Sequence, residues 1–299
     1  MECANDNRKF FGLMQSLRTS PDDLNAVNVV TSIYTLAKKQ WKMNGSASWL
    51  MDALSNKVAE IGPRELPNIV WALSHLPDTH RSKVIEDITA HTSHHLRDLS
   101  LVSLASVLRG FAHMRVSWDV LWSSAAIEIT QRSSELCPLS FSNILWALGV
   151  VQRPCTEPAL PALCLFGASA TAEMNATDIG SCLWAATRLN IRHRPFVSGM
   201  IERADDLAET FDEIGLVRVM QALRYFNDKD AALMSKFCKI CISRIESMSK
   251  DNVARIADAI SRLHCDSAAC PDCVALRNFA RELPSCSDQR INKTRVRIT

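Results

Sequence analysis

The sequence predicts an all-α chain, an α-solenoid of about seven helix-turn-helix repeats of 37–40 residues, and three observations carry that expectation. First, the pattern Phe141-Ser-Asn-Ile-Leu-Trp-Ala-Leu-Gly-Val-Val151 returns along the chain, with anchors at Asn28, Asn68, Ser106, Asn143, Ser181, Arg218 and Arg255. The intervals are 40, 38, 37, 38, 37 and 37 residues, a period that one helix pair and its turns consume. Second, the columns one, five and eight places after the anchor are apolar in nearly every copy. At 100° per residue they fall on one helix face and predict a buried stripe. Third, the column four places after the anchor is small: Ser32, Ala72, Gly110, Ala147, Ala185, Ala222 and Ala259. A neighbouring helix could approach closely there. Strands are not expected from 9 Gly, 2 Tyr and few alternating β-branched runs.

The elements follow in order. Residues 1–21 read as an N-terminal extension or capping helix; Glu2 and Asp6 fit a presequence poorly. The repeats occupy 22–285, opening near Asp22 and Asp23, with a second helix over 47–61 closed by Gly62-Pro63. Later second helices are expected near 81–96, 118–136, 160–174, 195–211, 231–248 and 274–283. Ser140, Thr177, Asp178, Ser249 and Asp251 are the expected N-caps of first helices. Pro77-Asp78, Arg153-Pro154, Pro158, Arg194-Pro195 and Asn227-Asp228 mark turns. Residues 286–299 form a basic tail, with Arg290, Lys293, Arg295 and Arg297 against Asp288.

Composition narrows the function classes. A chain of 299 residues with 47% hydrophobic content can bury a large core, and as a repeat array it reads as one quasi-one-dimensional domain. No run of about 18 apolar residues exists to span a membrane. A net charge of +2 does not by itself argue for a polyanion partner. Eleven cysteines without a secretory signal favour reduced thiols inside a cell or organelle.

The sharper signal is the distribution of charge. Positions zero, three, six and seven from the anchor project away from the core stripe and hold Arg109, Arg188, Arg218, Arg224, Arg255 and Arg262, with His75, His113 and Tyr225, against one acid, Asp258. Acids gather on the second helices instead, at Glu60, Glu86, Asp87, Glu128, Glu202, Asp205, Asp206, Glu209 and Glu246. One layer is therefore expected to be basic and the other acidic. Arg forks suit phosphates and base faces, and Asn68, Ser106, Asn143 and Ser181 could each reach a base edge, so these residues together form the candidate site for single-stranded RNA. The competing reading is a protein-binding scaffold whose charges are a solvated face or pair with the acidic layer.

Other residue groups have blander readings. Trp71, Trp146 and Trp184 stand at the same place in three of the seven copies; they could stack on bases, one per repeat, but packing against the adjoining repeat is the expectation, with Trp146 at a seam. Trp41, Trp49, Trp118 and Trp122 are expected in the core or between repeats. Cys265, Cys270, Cys273 and Cys286 supply four thiols with one Cys-x2-Cys knuckle, yet no second Cys-x2-Cys follows it at the end, so no metal or cofactor is expected. Cys238 and Cys241 read as packing residues, and His91, His94 and His95 as cations at a helix C-terminus. No phosphate-cradling Gly loop or nucleophile signature appears, and no enzyme is expected.

The phrases Asn68-Ile-Val-Trp-Ala-Leu-Ser-His-Leu76, Asn143-Ile-Leu-Trp-Ala-Leu-Gly-Val-Val151 and Cys182-Leu-Trp-Ala-Ala-Thr-Arg-Leu189 resemble the Asn-Ile/Leu-Leu-Trp-Ala-Leu-Ala-x-Leu core of octotricopeptide repeats, and the similar heptatricopeptide repeats found beside RAP domains. The resemblance covers about residues 22–285. It implies a non-catalytic RNA-binding helical repeat protein of an organelle, mitochondrial or alternatively plastid. Such a protein would bind single-stranded or ribosomal RNA, as a transcript maturation or stability factor or within a mitochondrial ribosome, beside other proteins of a large ribonucleoprotein. No membrane or small-molecule partner is implied. Thr31, Arg109, Gln221 and Asp258 stand where the family has Trp, and no RAP-like segment is recognised, so a nuclease role does not carry over.

Overall fold

The computed structural model describes residues 12, 24–40, 49–227, 230–261 and 271–282. Among them all regular structure is helical, without a strand. The fourteen helices are α1 (Ala26–Lys38), α2 (Trp49–Asn56), α3 (Leu66–His75), α4 (Asp78–His94), α5 (Leu101–His113), α6 (Asp119–Gln131), α7 (Pro138–Val151), α8 (Leu160–Ala170), α9 (Ala176–Arg188), α10 (Arg194–Asp206), α11 (Glu213–Phe226), α12 (Ala231–Arg244), α13 (Lys250–Ser261) and α14 (Pro271–Glu282). None of them is long and apolar enough to cross a membrane. The chain divides into two compact units, Met1–Phe166 and Gly167–Thr299.

In the first unit α1, α3, α5 and α7 pack in succession, and α2, α4 and α6 pack in a second succession. The second unit repeats the scheme: α9, α11 and α13 follow one another, α14 packs on α12 and α13, and α12 meets the turn after α10. The apolar columns explain this. Val29, Ile69, Val107, Ile144, Cys182, Val219 and Ile256, one place after the anchor, are all buried, as are Ile33, Leu73, Phe111, Leu148, Ala186, Leu223 and Ile260 at five. The column at eight is buried at Leu36 and Leu76, but Met114, Val151, Leu189 and Phe226 are half-buried and Leu263 lies outside the described residues. Those four stand at or just past the helix ends, where the backbone has begun to turn out of the stripe.

The small column does what its size permits. A Cβ built on Gly110 would lie 2.6 Å from Val70 Cγ1 and 3.2 Å from Val70 O, so α5 meets α3 at a separation where any side chain at this position would force Val70 to shift. Ala72, Ala147, Ala185, Ala222 and Ala259 are fully buried.

Helix ends depart from expectation in two ways. The caps of first helices are Asn25, Ser100, Asn175 and Asp212, whose side chains accept from Asn28 N (2.9 Å), Ser103 N (3.2 Å), Asp178 N (3.1 Å) and Gly215 N (2.7 Å). Ser249 caps α13 as expected, whereas Thr177, Asp178 and Asp251 lie inside first turns, and Ser140 is the inner member of a capping box with Cys137. A cap side chain must precede the first helical residue to reach the N–H groups that the helix leaves open. The expected start at Asp22 and Asp23 lies outside the described residues; α1 begins after Asn25.

The second departure is at the far end. The second helices are expected to run unbroken to Ile61, Leu96, Leu136, Met174, Phe211 and Met248, but each stops early and tightens into a 3-10 turn: Val58–Glu60, Leu96–Asp98, Ser133–Glu135, Thr171–Glu173, Ala208–Thr210 and Ile245–Ser247. The tighter pitch drops the next residue into the core in extended conformation, as at Ile61, Leu99, Leu136, Met174 and Phe211. Four of these residues have carbonyls that accept from the second helix of the next repeat: Ile61 from His91 Nε2 (2.7 Å), Leu99 from Arg132 Nη1 (2.9 Å), Met174 from Arg203 Nε (3.3 Å) and Phe211 from Arg244 Nη1 (2.8 Å). These rungs satisfy buried carbonyls that the ended helix cannot.

Of the tryptophans expected in the core, Trp122 is fully buried, its indole N–H donating to Val116 O at 2.9 Å. Trp118 is not a core residue. It is 39% exposed because it precedes α6 as its N-cap. Trp49 is half-buried, and Trp41 lies outside the described residues.

Candidate functional site

The candidate residues of the first unit lie on α3, α5 and α7, beside the aromatic column. Trp71 on α3 is half-buried, with its ring centroid 4.9 Å from Tyr34 of α1 and 4.1 Å from His75 of its own helix. His75 ends α3, where its Nδ1–H donates to Trp71 O at 2.8 Å. Tyr34, Trp71 and His75 thus form a run of three aromatic rings.

Two helices on, the arrangement recurs with a cation. Arg109 Nη1 donates to Asn143 Oδ1 at 2.8 Å, and its guanidinium carbon lies 4.7 Å from the Trp146 ring. His113 stacks on the same ring at 4.6 Å. Trp146, half-buried, therefore sits against two side chains of α5 while keeping an outer edge. The His113 imidazole is held below its ordinary pKa, first because its inner face is shielded from water, then by the positive charges of Arg109 and His75. At neutral pH it presents an uncharged ring next to a guanidinium. Asn68 is exposed on α3, and Ser106 is half-buried with its hydroxyl donating to Val102 O at 3.0 Å.

In the second unit Arg218 Nη1 donates to Ser181 Oγ at 3.0 Å, and Ser181 is only 4% exposed. Arg188, exposed at the end of α9, holds its guanidinium carbon 5.9 Å from the Trp184 ring. Arg224 Nη1 pairs with Asp258 Oδ2 of α13 at 3.1 Å. The Tyr225 hydroxyl donates to Asn190 Oδ1 at 2.7 Å. Arg255 is exposed on α13, and Arg262 lies outside the described residues.

Asn143 and Ser181 are thus engaged as acceptors for arginines one repeat away, which orients the guanidinium and occupies the acceptor. The spacing of the anchors carried no sign of this, because the bond depends on which rotamer a long side chain adopts across two helices. A residue outside the pattern also belongs to the surface. Arg192, in the turn after α9, lies over the Tyr225 ring at 4.8 Å and donates through Nε to Asn190 Oδ1 at 2.9 Å. Asn190 is left-handed at φ 52°, a conformation that places its side chain between Tyr225 and Arg192. No column of the repeat marks Arg192.

The expected division into a basic and an acidic layer needs correction. Acids of the second-helix layer are paired with cations of the same layer: Glu128 with Arg97 at 2.9 Å, Glu135 with Arg132 at 2.8 Å, Glu209 with Arg244 at 3.2 Å, Asp206 with Arg203 at 3.5 Å, and Asp205 with Lys236. That layer is mixed rather than acidic. The partners of Arg109, Arg218 and Arg224 described above, by contrast, all lie on first helices, α7, α9 and α13.

Among the described residues no group of three His, Cys, Asp or Glu side chains is placed to hold a metal ion. Cys265, Cys270 and Cys286 lie outside them; Cys273 is buried on α14. Cys238 and Cys241 are buried on α12. His91 and His95 stack at 4.6 Å, and His95 Nδ1 contacts Asp98 Oδ2 at 2.9 Å.

No protein-family model matches the chain, and no curated protein matches it either.

Proposed function

We propose that the chain is a non-catalytic RNA-binding α-solenoid of seven helix pairs, of the octotricopeptide type, that serves in an organelle and in the mitochondrion first. Its ligand in this reading is single-stranded or ribosomal RNA, held along the first helices as part of a maturation factor or a ribonucleoprotein. One observation carries it: aromatic rings recur on the first-helix surface, each stacked with an arginine, a histidine or both, at Trp146, Trp184 and Trp71. Flat rings beside guanidinium groups offer stacking to bases and charge to phosphates together. Ultraviolet crosslinking of the protein in cells, followed by sequencing of the attached RNA, tests the reading. Reads confined to ribosomal RNA or one transcript are expected, with crosslinked peptides from α3, α5, α7 or α9; recovery no better than from a non-binding control overturns it.

A protein-interaction scaffold of the same architecture is the second reading. It is favoured by Trp118, Val120 and Ile127, exposed by 39%, 57% and 51% at and along α6. Crosslinking that captured a protein through α6 and no RNA through α7 would favour it.

A further inference from the structure

We propose that Cys238 and Cys273 form a reversible disulfide that fastens α14 to α12 when a small hydroperoxide is present. Their sulfurs face each other across the α12–α14 contact with Sγ to Sγ at 3.2 Å, and the two residues are 0% and 2% exposed. Flanking contacts hold that register. Asp272, next to Cys273, accepts from Ser235 Oγ at 2.6 Å and lies 3.8 Å from Lys239 Nζ, so α12 grips the start of α14 on both sides of Cys238. Cys241, one turn further along α12 and 1% exposed, supplies an internal comparison.

Burial decides which oxidant fits and how fast it acts. In the closed state these sulfurs are enclosed, and a small neutral peroxide needs a smaller local opening of α14 to reach them than a bulky disulfide such as oxidised glutathione does. The thiolate is the nucleophile, and burial disfavours a thiolate, as at Cys241 on the same helix, whose thiol it pushes up to about 12. Reaction therefore proceeds through the opened state. Cys273 thiolate attacks one peroxide oxygen, the O–O bond breaks, and the displaced hydroxide takes up a proton as water, leaving a sulfenic acid. Cys238 thiolate then attacks Cys273 Sγ, the S–O bond breaks, and a second hydroxide leaves as water on protonation. With hydrogen peroxide as the oxidant, two thiols lose two electrons and two protons to one peroxide, giving one disulfide and two waters.

The test uses the reduced, full-length protein treated with graded hydrogen peroxide, blocked with an alkylating reagent and digested with trypsin without reduction. The expected product joins the peptides 237–239 and 263–277, with fragmentation placing the link at Cys273 and dithiothreitol reversing it. Cys241→Ser should form the same link, and Cys238→Ser should lose it. Oxidation should also slow proteolytic cleavage within α14 by about tenfold or more, through the free energy needed to open it. Linkage of Cys273 to Cys265 or Cys270 with Cys238 recovered alkylated overturns the proposal. So does recovery of both thiols alkylated at peroxide doses that oxidise Cys137, a half-buried thiol of the same chain.

Discussion

His113 and Trp146 show how one side chain can serve the fold and a surface together. The imidazole binds its proton less readily in the folded chain than in the unfolded one, so the unfolded state holds more protons wherever the two differ. Stability is then independent of this group above the ordinary imidazole range. It falls as pH drops through that range toward the depressed folded value. Urea unfolding at a series of pH values from about 7.5 to about 5 should show that decline, and His113→Gln should flatten it; an identical decline in the variant would remove His113 as its source. For Trp146 the half-buried ring lowers the expectation for loss of packing. A half-buried ring and one half-buried cation–π pair predict that Trp146→Ala costs about 2 to 3 kcal/mol. On the RNA reading, affinity falls by a further roughly 1 to 3 kcal/mol for the base it stacks. Thermal melting and fluorescence anisotropy separate the two. A variant that melts and binds like the wild type would leave Trp146 without either role.

At the scale of helices, the contact between α3 and α5 is set by Gly110. Replacing it with Ala puts a methyl group 3.2 Å from a backbone oxygen as well as against the Val70 side chain, and a backbone atom cannot swing aside. Gly110→Ala should therefore destabilise by about 1 to 3 kcal/mol despite the better helix propensity of Ala, and Gly110→Ala with Val70→Ala should recover only part of the loss. Chemical denaturation measures both; a stabilised Gly110→Ala would mean that the helices separate freely. The sequence made this contact legible because a small column with a constant period has few other physical explanations. It made the first helices legible for the same reason, through Val29, Ile69 and their equivalents. It concealed the 3-10 endings, since the choice between an α and a 3-10 last turn is settled by where Ile61 or Phe211 must land in the core. It also concealed the pairing of Arg218 with Ser181, since equal spacing along the chain says nothing of how a side chain crosses to the next helix.

Over the whole molecule, charge is close to balanced at +2, so any hold on a polyanion must come from local geometry. The salt dependence measures this directly. If four to six arginines contact a single strand, log affinity should fall against log salt with a slope of about −3 to −4. Because Arg218 is tied to a buried serine, it is a poor choice for testing the surface without disturbing the fold. Arg188 and Arg255 are exposed. Changing both to Glu should flatten the slope by about 1 to 2 and weaken binding several-fold while the melting temperature moves little. An unchanged slope would place the RNA on another surface.

The rungs from His91, Arg132, Arg203 and Arg244 have a direction. In each, the accepting carbonyl stands about 30 residues before the donor: Ile61 before His91, Leu99 before Arg132, Met174 before Arg203, Phe211 before Arg244. A chain made from its N-terminus exposes every acceptor before the group that will close on it, so growth and assembly run the same way. Nascent chains halted just after a donor has left the ribosome should gain protease resistance one step at a time. Each of these four donors then locks onto a turn that is already in place, and none of the four rungs has to wait for a segment still unmade.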